Sequence, residues 1–240
     1  MAVSNTLVPK QEPKELTAVF TANGKEVTLN PETVRRYLVS GNPANVTNEE
    51  IGMFINLCKY NGLNPWLKEA YLIKFGNNPA TLVTGKEAYM KRAESHPQYD
   101  GIESGIIVLT TTNEITYRVG SVLINGEKII GGWAEVFRKD RSHSSRCEVS
   151  INEYVGTTSD GKPNANWCKR PATMIRKVAM VQALREAFPT MFGAMYTAEE
   201  QGFTEDETSS QNVPIEDPNQ PKQQEQPKAV VVEEGDDLPL

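Results

Sequence analysis

Residues 164–196 read NANWCKRPATMIRKVAMVQALREAFPTMFGAMY and contain the longest helical pattern of the chain. The pattern begins at Pro171, because proline suits the first turn of a helix, where its missing N–H would have had no partner. It ends at Phe188-Pro189 after roughly five turns. Apolar residues and alanines occupy nearly all sides of this run, so the sequence predicts a helix enclosed by the rest of the protein.

Three cations interrupt the apolar pattern of this helix, at Arg176, Lys177 and Arg185. A solvated helix face is the ordinary place for such residues, but here the apolar side chains leave only a narrow face exposed. We therefore expect the three cations to converge on a groove that binds anions.

More positive charge precedes the helix. Residues 161–190 carry six cations against the single anion Glu186, and Lys169 and Arg170 are two of the six. The phosphates of a nucleic acid are the natural partners of this charge. Trp167 lies beside these cations and has two interpretations, a ring that stacks on a base or a core anchor at the helix entry.

Charge is unevenly distributed along the 240 residues. The formal net charge is −6, but residues 1–200 hold 23 basic and 21 acidic residues, whereas residues 201–240 hold 2 and 10. The acidity therefore belongs to the end of the chain. Composition predicts a flexible N-terminal arm over residues 1–24, a folded domain over residues 25–202 and a disordered acidic tail over residues 203–240.

Several classes of protein are disfavoured. No apolar run approaches the roughly 20 residues of a membrane-spanning helix, so we expect a cytoplasmic protein without membrane contact. Cys58, Cys147 and Cys168 are odd in number and lack paired spacing, which disfavours a disulfide framework and a zinc site. The two histidines, His96 and His143, have no neighbours in the spacing of a catalytic triad or a metal site.

The elements before the long helix are predicted as helices followed by strands. A capping box at Thr47 begins a helix that ends near Gly62. Residues 115–124 and 127–139 are predicted to pair as a hairpin through Asn125-Gly126. Helices, then a meander of antiparallel strands, then the long helix together indicate an α+β fold.

Two further basic clusters lie outside the long helix. Lys86, Lys91 and Arg92 lie within about two turns of one predicted helix, so at least two of them can share a face, although an ordinary solvated helix is the alternative. Arg138 and Lys139 lie at the foot of a predicted strand. They could protect a sheet edge or contact a phosphate backbone.

Several motifs, in the same order along the chain, resemble those of the phage RecT/Bet single-strand annealing recombinases. They are NPWLKEAYLIKF at 64–75, TGKEAYMKRA at 84–93 with HPQYDG at 96–101, and WCKRPATMIRKVAMVQALREAFP at 167–189, followed by GAMY and a pair of glutamates. The similarity covers about residues 30–200. It implies a small antiparallel sheet with a hairpin packed on a long helix, resembling the fold of the strand-annealing ring proteins.

This resemblance also implies a function that needs no bond-making or bond-breaking active site. It implies ATP-independent binding of single-stranded DNA and annealing of complementary strands in phage or prophage recombination, by a ring or helical filament. The implied partners are a 5′-to-3′ exonuclease and a host single-stranded DNA-binding protein or its partners. No cofactor is implied, and magnesium is expected to act only on DNA binding. The implied DNA contacts are Lys169, Arg170, Arg176, Lys177 and Arg185, with a weaker correspondence at Lys86, Lys91, Arg92, Arg138 and Lys139.

Two other functions stay open on the residues alone. One is a replication or recombination adaptor that binds partners through its tail, because residues 233–240, EEGDDLPL, resemble the acidic tips of bacterial single-stranded DNA-binding proteins. The terminal Leu240 departs from the aromatic residue of those tips. The other is a metal-dependent nuclease, in which Asp100, Glu103 and Glu135 would meet around a divalent ion.

Overall fold

The computed structural model describes residues 17–157 and 161–202. The predicted acidic tail over residues 203–240 lies outside the described residues, as does most of the predicted N-terminal arm. Within the described ranges the strands are β1 (Ala18–Ala22), β2 (Lys25–Leu29), β3 (Val39–Gly41), β4 (Ala70–Lys74), β5 (Thr81–Thr84), β6 (Tyr99–Leu109), β7 (Ile115–Val119), β8 (Lys128–Arg138) and β9 (Ser145–Ser150). The α-helices are α1 (Pro31–Tyr37), α2 (Asn48–Asn61), α3 (Lys86–Ser95), α4 (Ile151–Tyr154), α5 (Ala165–Lys169) and α6 (Pro171–Ala187).

The largest sheet, called the main sheet below, is antiparallel and has the strand order β7-β6-β8-β9. Its inner face is covered by α6, which packs against β8, β9 and β6. Ile106, Gly132 and Val149 lie side by side on this face in the strand register. The predicted α+β class is therefore confirmed, and the long helix does pack on a small antiparallel sheet.

The predicted pairing of the strands around Asn125-Gly126 is wrong. β6 lies between β7 and β8, and Ile107 of β6 is opposite Tyr117 on one side and Gly131 on the other. The hairpin in this part of the sheet is β6–β7, whose turn places Asn113 in the left-handed conformation with φ 62°. The Asn125-Gly126 turn does form, but it lies in the loop that takes the chain from β7 past β6 to β8.

The long helix α6 follows its prediction closely. Pro171 occupies its first turn, and the helix ends at Phe188, whose φ of −132° is not helical. Most of its side chains are buried, as the surrounding apolar pattern requires. Gly132 allows the helix to lie directly on the sheet, because a Cβ at this position would be only 2.6 Å from the carbonyl oxygen of Ile175.

The remaining elements form two smaller sheets and the helices beside them. β1 and β2 pair as an antiparallel hairpin, and β3-β4-β5 form a second sheet in which β3 runs parallel to β4. The predicted arm over residues 1–24 is too long, because β1 lies within it and Ala22 is buried. The capping box of α2 forms as predicted, and the left-handed Gly62 ends the helix. No helix in the described ranges is long and apolar enough to cross a bilayer.

The α2 capping box yields a prediction for acid unfolding. Burial would raise the pKa of the Glu50 carboxyl, but hydrogen bonds from Lys74, Ala80 N–H and Thr47 N–H outweigh it and lower that pKa to about 2. A carboxyl whose pKa is lower in the folded than in the unfolded protein stabilises the folded state at pH values above the unfolded pKa, here 4.5. This stabilisation is lost as the pH falls towards 2. Glu50→Gln should therefore cost on the order of 1 kcal/mol at pH 7 after solvent screening.

Urea unfolding at several pH values measures this effect. The stability of the Glu50→Gln protein should decline less steeply than that of the wild type between pH 4.5 and 2, where the Glu50 carboxyl takes up its proton. Glu26→Gln, at an exposed position on β2, is the control and should follow the wild-type curve. Identical pH profiles for the Glu50→Gln and wild-type proteins would contradict the assigned hydrogen bonds.

Candidate nucleic-acid interface

The three cations within α6 do not share a groove, so the predicted convergence is wrong. Arg185 follows Arg176 by nine positions, which places the two side chains on about opposite sides of the helix. Nε of Arg176 donates to Oγ of Ser104 at 2.9 Å, on β6. Arg176 is half-buried, and no carboxylate in the described ranges pairs with it.

Lys177 lies inside the protein. Its side chain is only 10% exposed, and its Nζ lies 3.0 Å from Oε1 of Glu199, whose own side chain is completely buried. A phosphate could reach this ammonium group only after the pair was opened. The structure therefore gives Lys177 a structural partner instead of an open, anion-facing position.

Arg185 is held at the opposite end of α6. Its Nη2 donates to Oε2 of Glu200 at 2.8 Å and to the carbonyl oxygen of Met195 at 3.1 Å, and its guanidinium lies 4.7 Å from the centre of the Tyr196 ring. Burial would lower the pKa of this guanidinium, but the hydrogen bonds to Glu200 and Tyr89 outweigh burial and raise that pKa. Arg185 thus connects residues 195–200, which follow α6, to the helix.

Two arginines outside α6 pack near the same end of the helix. Arg92 of α3 donates to Sδ of Met195 at 2.9 Å, and burial lowers the pKa of its guanidinium. Arg138 of β8 forms a two-point contact with Asp140 and lies 4.6 Å above the Phe188 ring. Its Nη1 also donates to the carbonyl oxygen of Ala187 at 2.5 Å, the last residue of α6. Both arginines therefore contribute to packing around the C-terminal end of the helix.

The lysines of α3 differ in their surroundings. Lys91 Nζ lies 2.7 Å from Oε1 of the buried Glu69. The same Oε1 accepts from Asn23 Nδ2, and Oε2 of Glu69 accepts from Asn64 N–H. Lys91 therefore supports the turn that begins the NPW motif. Lys86 is only half-buried, and among the described residues its one ion pair is a long contact of 3.5 Å with its neighbour Glu87.

Three of the predicted cations are exposed and have no ion pair with any described residue. Lys169 and Arg170 form the corner between α5 and α6, and Lys139 lies in the β8–β9 connection. Arg176 follows Arg170 by six residues, which is only some 9 Å along a helix axis, so Lys169 and these two arginines lie in the first turns of α6 and the corner before it. We call Lys169, Arg170 and Arg176 the open cations. No carboxylate of residues 17–157 or 161–202 forms an ion pair with them, so an incoming anion displaces none of these carboxylates.

Trp167 does not offer a stacking surface in this structure. Its ring is 3% exposed and belongs to the hydrophobic core, where α5 packs against α6. Of the two interpretations of this residue, the structure therefore supports the core anchor. The indole Nε1 is buried without a hydrogen-bond partner in the described ranges.

The sequence analysis did not identify the carboxylates that pair with the cations of α6. Glu199 and Glu200 are the paired glutamates at the end of the resembling motifs, and they bind Lys177 and Arg185 respectively. The available signal was the near-continuous burial of the helix, since a buried cation requires a buried partner. Ser104, which holds Arg176, lay inside a predicted strand and carried no signal.

The carboxylates of the nuclease alternative do not form a recognisable metal site. Glu103 and Glu135 are cross-strand neighbours on β6 and β8, but Glu135 accepts hydrogen bonds from Ser144 and from Arg146 at 3.3 Å. In the ranges that the structure describes, no group of three or more His, Cys, Asp or Glu side chains is placed to hold a metal ion.

Comparison with known proteins covers most of the chain. The protein-family model described as the RecT family matches residues 25–214. An uncharacterised protein of Ureaplasma parvum serovar 3 is 28% identical over 137 residues, covering 57% of this chain and 52% of the relative. The recombination protein bet of Escherichia phage lambda is 25% identical over 147 residues, covering 58% and 46%. The chain thus spans about half the length of the curated relatives it matches.

Proposed function

Because the chain belongs to the RecT family, we propose that it binds single-stranded DNA and anneals complementary strands during phage recombination. The similarity to a phage protein named for recombination supports this proposal. The observation that carries it is the group of open cations, Lys169, Arg170 and Arg176, at the N-terminal end of α6. Lys169 and Arg170 are exposed and Arg176 is half-buried, and cations that pair with no carboxylate of the described ranges are suited to a phosphate backbone.

Annealing requires that the protein hold the backbone of a strand and leave the base edges accessible. The open cations can neutralise phosphates, whereas the Trp167 ring is buried and is not available to stack on a base. Base pairing between the two strands, and not a protein side chain, then selects the correct partner strand. Contacts confined to phosphate and sugar predict little preference for base sequence.

The reaction makes and breaks no covalent bond, so the proposal includes no catalytic residue, no ATP and no cofactor. Magnesium is proposed to act only through DNA binding, by competing with cations for phosphate. We propose that many copies act together as a ring or filament, because three phosphate contacts per copy give a salt-dependence slope of only about −2 for single strands. A 5′-to-3′ exonuclease that exposes single strands and a host single-stranded DNA-binding protein are the proposed partners.

The test is the rate at which two complementary oligonucleotides, labelled with a fluorophore and a quencher, become double-stranded. We expect the protein to accelerate quenching without ATP and to leave both strands intact on a denaturing gel. Addition of ATP should not change the rate. Non-complementary strands of equal length are the control and should show no quenching. Strand cleavage in the presence of magnesium would instead support the nuclease, and an unchanged quenching rate would support the adaptor.

A further inference from the structure

The chain that follows α6 turns back and runs along it. We call residues 195–202 the returning segment. The carbonyl oxygen of Met195 accepts from Arg185, which lies in the last turn of α6. Glu199 binds Lys177, eight residues nearer to the start of the helix. The returning segment therefore passes from the C-terminal end of α6 towards its N-terminal end, where the open cations lie.

The returning segment is held on both sides along this path. On one side its carboxylates pair with α6, as described above. On the other side β5 forms two hydrogen bonds with it: the N–H of Thr84 donates to the carbonyl oxygen of Tyr196 at 2.8 Å, and Nε2 of Gln201 donates to the carbonyl oxygen of Leu82 at 3.1 Å. The point from which the chain continues is therefore fixed relative to α6.

Gly202, the last described residue, lies beside α5. Its carbonyl oxygen and Cδ1 of Trp167 each lie 3.4 Å from the position that a Cβ on Gly156 would occupy. Trp167 precedes Lys169 by two residues and Arg170 by three, which is less than one turn of helix. The chain thus leaves the described part of the protein next to the corner that carries two of the open cations.

The sequence that continues from this point is acidic. Glu205, Asp206 and Glu207 are consecutive and begin three residues after Gly202. We call these three residues the acidic run; they lie outside the described residues. Three residues of chain span up to about 10 Å, nearly two turns of helix, and the carboxylate side chains extend further. The acidic run is therefore tethered within reach of the open cations.

The charges of the acidic run and of the open cations also match. Each group carries three charges, and the two groups have opposite sign. The returning segment already pairs its two glutamates, Glu199 and Glu200, with the other two cations of α6. This leaves Arg176 as the cation of that helix with no carboxylate partner in the described ranges. Because a tethered partner acts at an effective concentration in roughly the millimolar range, weak ion pairs suffice for binding.

We propose that the acidic run binds the open cations of the DNA-free protein and that single-stranded DNA displaces it. The proposal rests on the proposed function, because it assigns a competitor of DNA to the same three cations. The apparent affinity for DNA is then the intrinsic affinity multiplied by the fraction of molecules whose open cations are unoccupied. Residues 205–207 thereby lower the affinity of the protein for DNA without contacting DNA.

The first test is a run variant that carries Glu205→Gln, Asp206→Asn and Glu207→Gln together. It is titrated against a labelled oligonucleotide short enough for one copy, with fluorescence anisotropy as the readout. At about 0.05 M salt, where screening is weak, this variant should bind roughly tenfold more tightly than the wild type. A tenfold gain corresponds to an acidic run that occupies the open cations in about nine of ten wild-type molecules.

A distal variant with Glu216→Gln, Asp217→Asn and Glu225→Gln is the matched control, because it removes the same charge from residues further along the chain. It should gain less than about threefold in affinity. Alanine at all three open cations should abolish the effect of the run variant, since the acidic run then has no binding site. Equal gains from the run and distal variants, or an equal gain without the open cations, would overturn the proposal, because DNA would then respond to net charge alone.

Cys168 offers a measurement that needs no DNA. It is exposed and directly precedes Lys169, whereas Cys58 and Cys147 are buried. A dianionic aromatic disulfide is attracted to the open cations, so it should react with the Cys168 thiolate at least about threefold faster in the run variant than in the wild type. The uncharged iodoacetamide reports any change in the amount of thiolate, and the ratio of the two rates therefore isolates the access of an anion. The distal variant should show the wild-type ratio.

This measurement separates the failure of the contact from the failure of the proposed function. An unchanged ratio in the run variant would overturn the contact between the acidic run and the open cations, even in a protein that anneals DNA. A ratio that rises in a protein that neither binds nor anneals DNA would contradict the proposed function and leave the contact standing. A ratio that rises while the DNA affinity stays at the wild-type value would overturn the displacement by DNA.

Discussion

Alanine at Lys169, Arg170 and Arg176 together should lower the affinity for single-stranded DNA roughly 100-fold at 0.1 M salt. The reason is counterion release: each lost phosphate contact reduces the slope of log K against log salt by about 0.7 for single strands. The slope per copy should therefore fall by about 2. Fluorescence anisotropy of a labelled oligonucleotide, titrated at several salt concentrations, measures both quantities.

A charge-matched control separates this effect from a general loss of positive charge. Lys25, Arg36 and Lys128 are exposed cations on β2, α1 and β8, and none of them forms an ion pair in the described ranges. Alanine at these three positions removes the same net charge and should change the affinity by less than about threefold. Equal losses in the two triple variants would show that DNA responds to net charge alone, and the open cations would then not form the binding surface.

Alanine at Lys177 should destabilise the protein by about 3–5 kcal/mol, because it leaves the buried carboxylate of Glu199 without its cation. The Lys177 and Glu199 side chains are 10% and 0% exposed, so water cannot replace the lost partner. Glu199→Ala should also destabilise the protein, because the buried Lys177 ammonium loses its ion pair with Oε1 of Glu199. Urea unfolding followed by circular dichroism measures the free energy of unfolding of each variant.

The double variant Lys177→Met with Glu199→Leu is the matched comparison. Replacing both charges with apolar side chains removes the need for a partner, and it also removes Oε2 of Glu199, which is buried without a hydrogen bond in the described ranges. The double variant should therefore regain most of the stability lost in either single variant. It should also bind single-stranded DNA as tightly as the wild type. A loss of DNA affinity in this stable double variant would show that Lys177 contributes to DNA binding.

The parts of the fold that could be predicted are those specified by neighbouring residues. The bounds of α6 depend on Pro171 and Phe188, and α2 begins at a capping box in which Thr47 and Glu50 exchange hydrogen bonds over three residues. Strand order is different, because it depends on residues far apart in the chain. Asn125-Gly126 carries the stronger local turn signal, but the β6–β7 hairpin turns at Asn113, and β8 then pairs with the far side of β6.

The candidate site could likewise be predicted only in part. The sequence indicates where the cations of α6 lie, but their counterions come from later in the chain: Glu199 follows Lys177 by 22 residues and Glu200 follows Arg185 by 15. Only tertiary packing decides which cation meets a carboxylate. Arg176 and Lys177 show this most directly, since these adjacent cations have different environments. Arg176 is half-buried and pairs with no carboxylate of the described ranges, whereas Lys177 is buried in an ion pair with Glu199.

The close approach of α6 to the main sheet at Gly132 has a consequence for how this protein can change over evolution. An exposed side chain such as that of Glu26 can be replaced alone, because it projects into solvent and a different side chain there does not move the backbone. Position 132 has no such freedom, since even a methyl group would meet the backbone of Ile175 and displace the whole helix. Related chains that carry a side chain at this position should therefore carry a second substitution that lets α6 move, and the two changes should be inherited together.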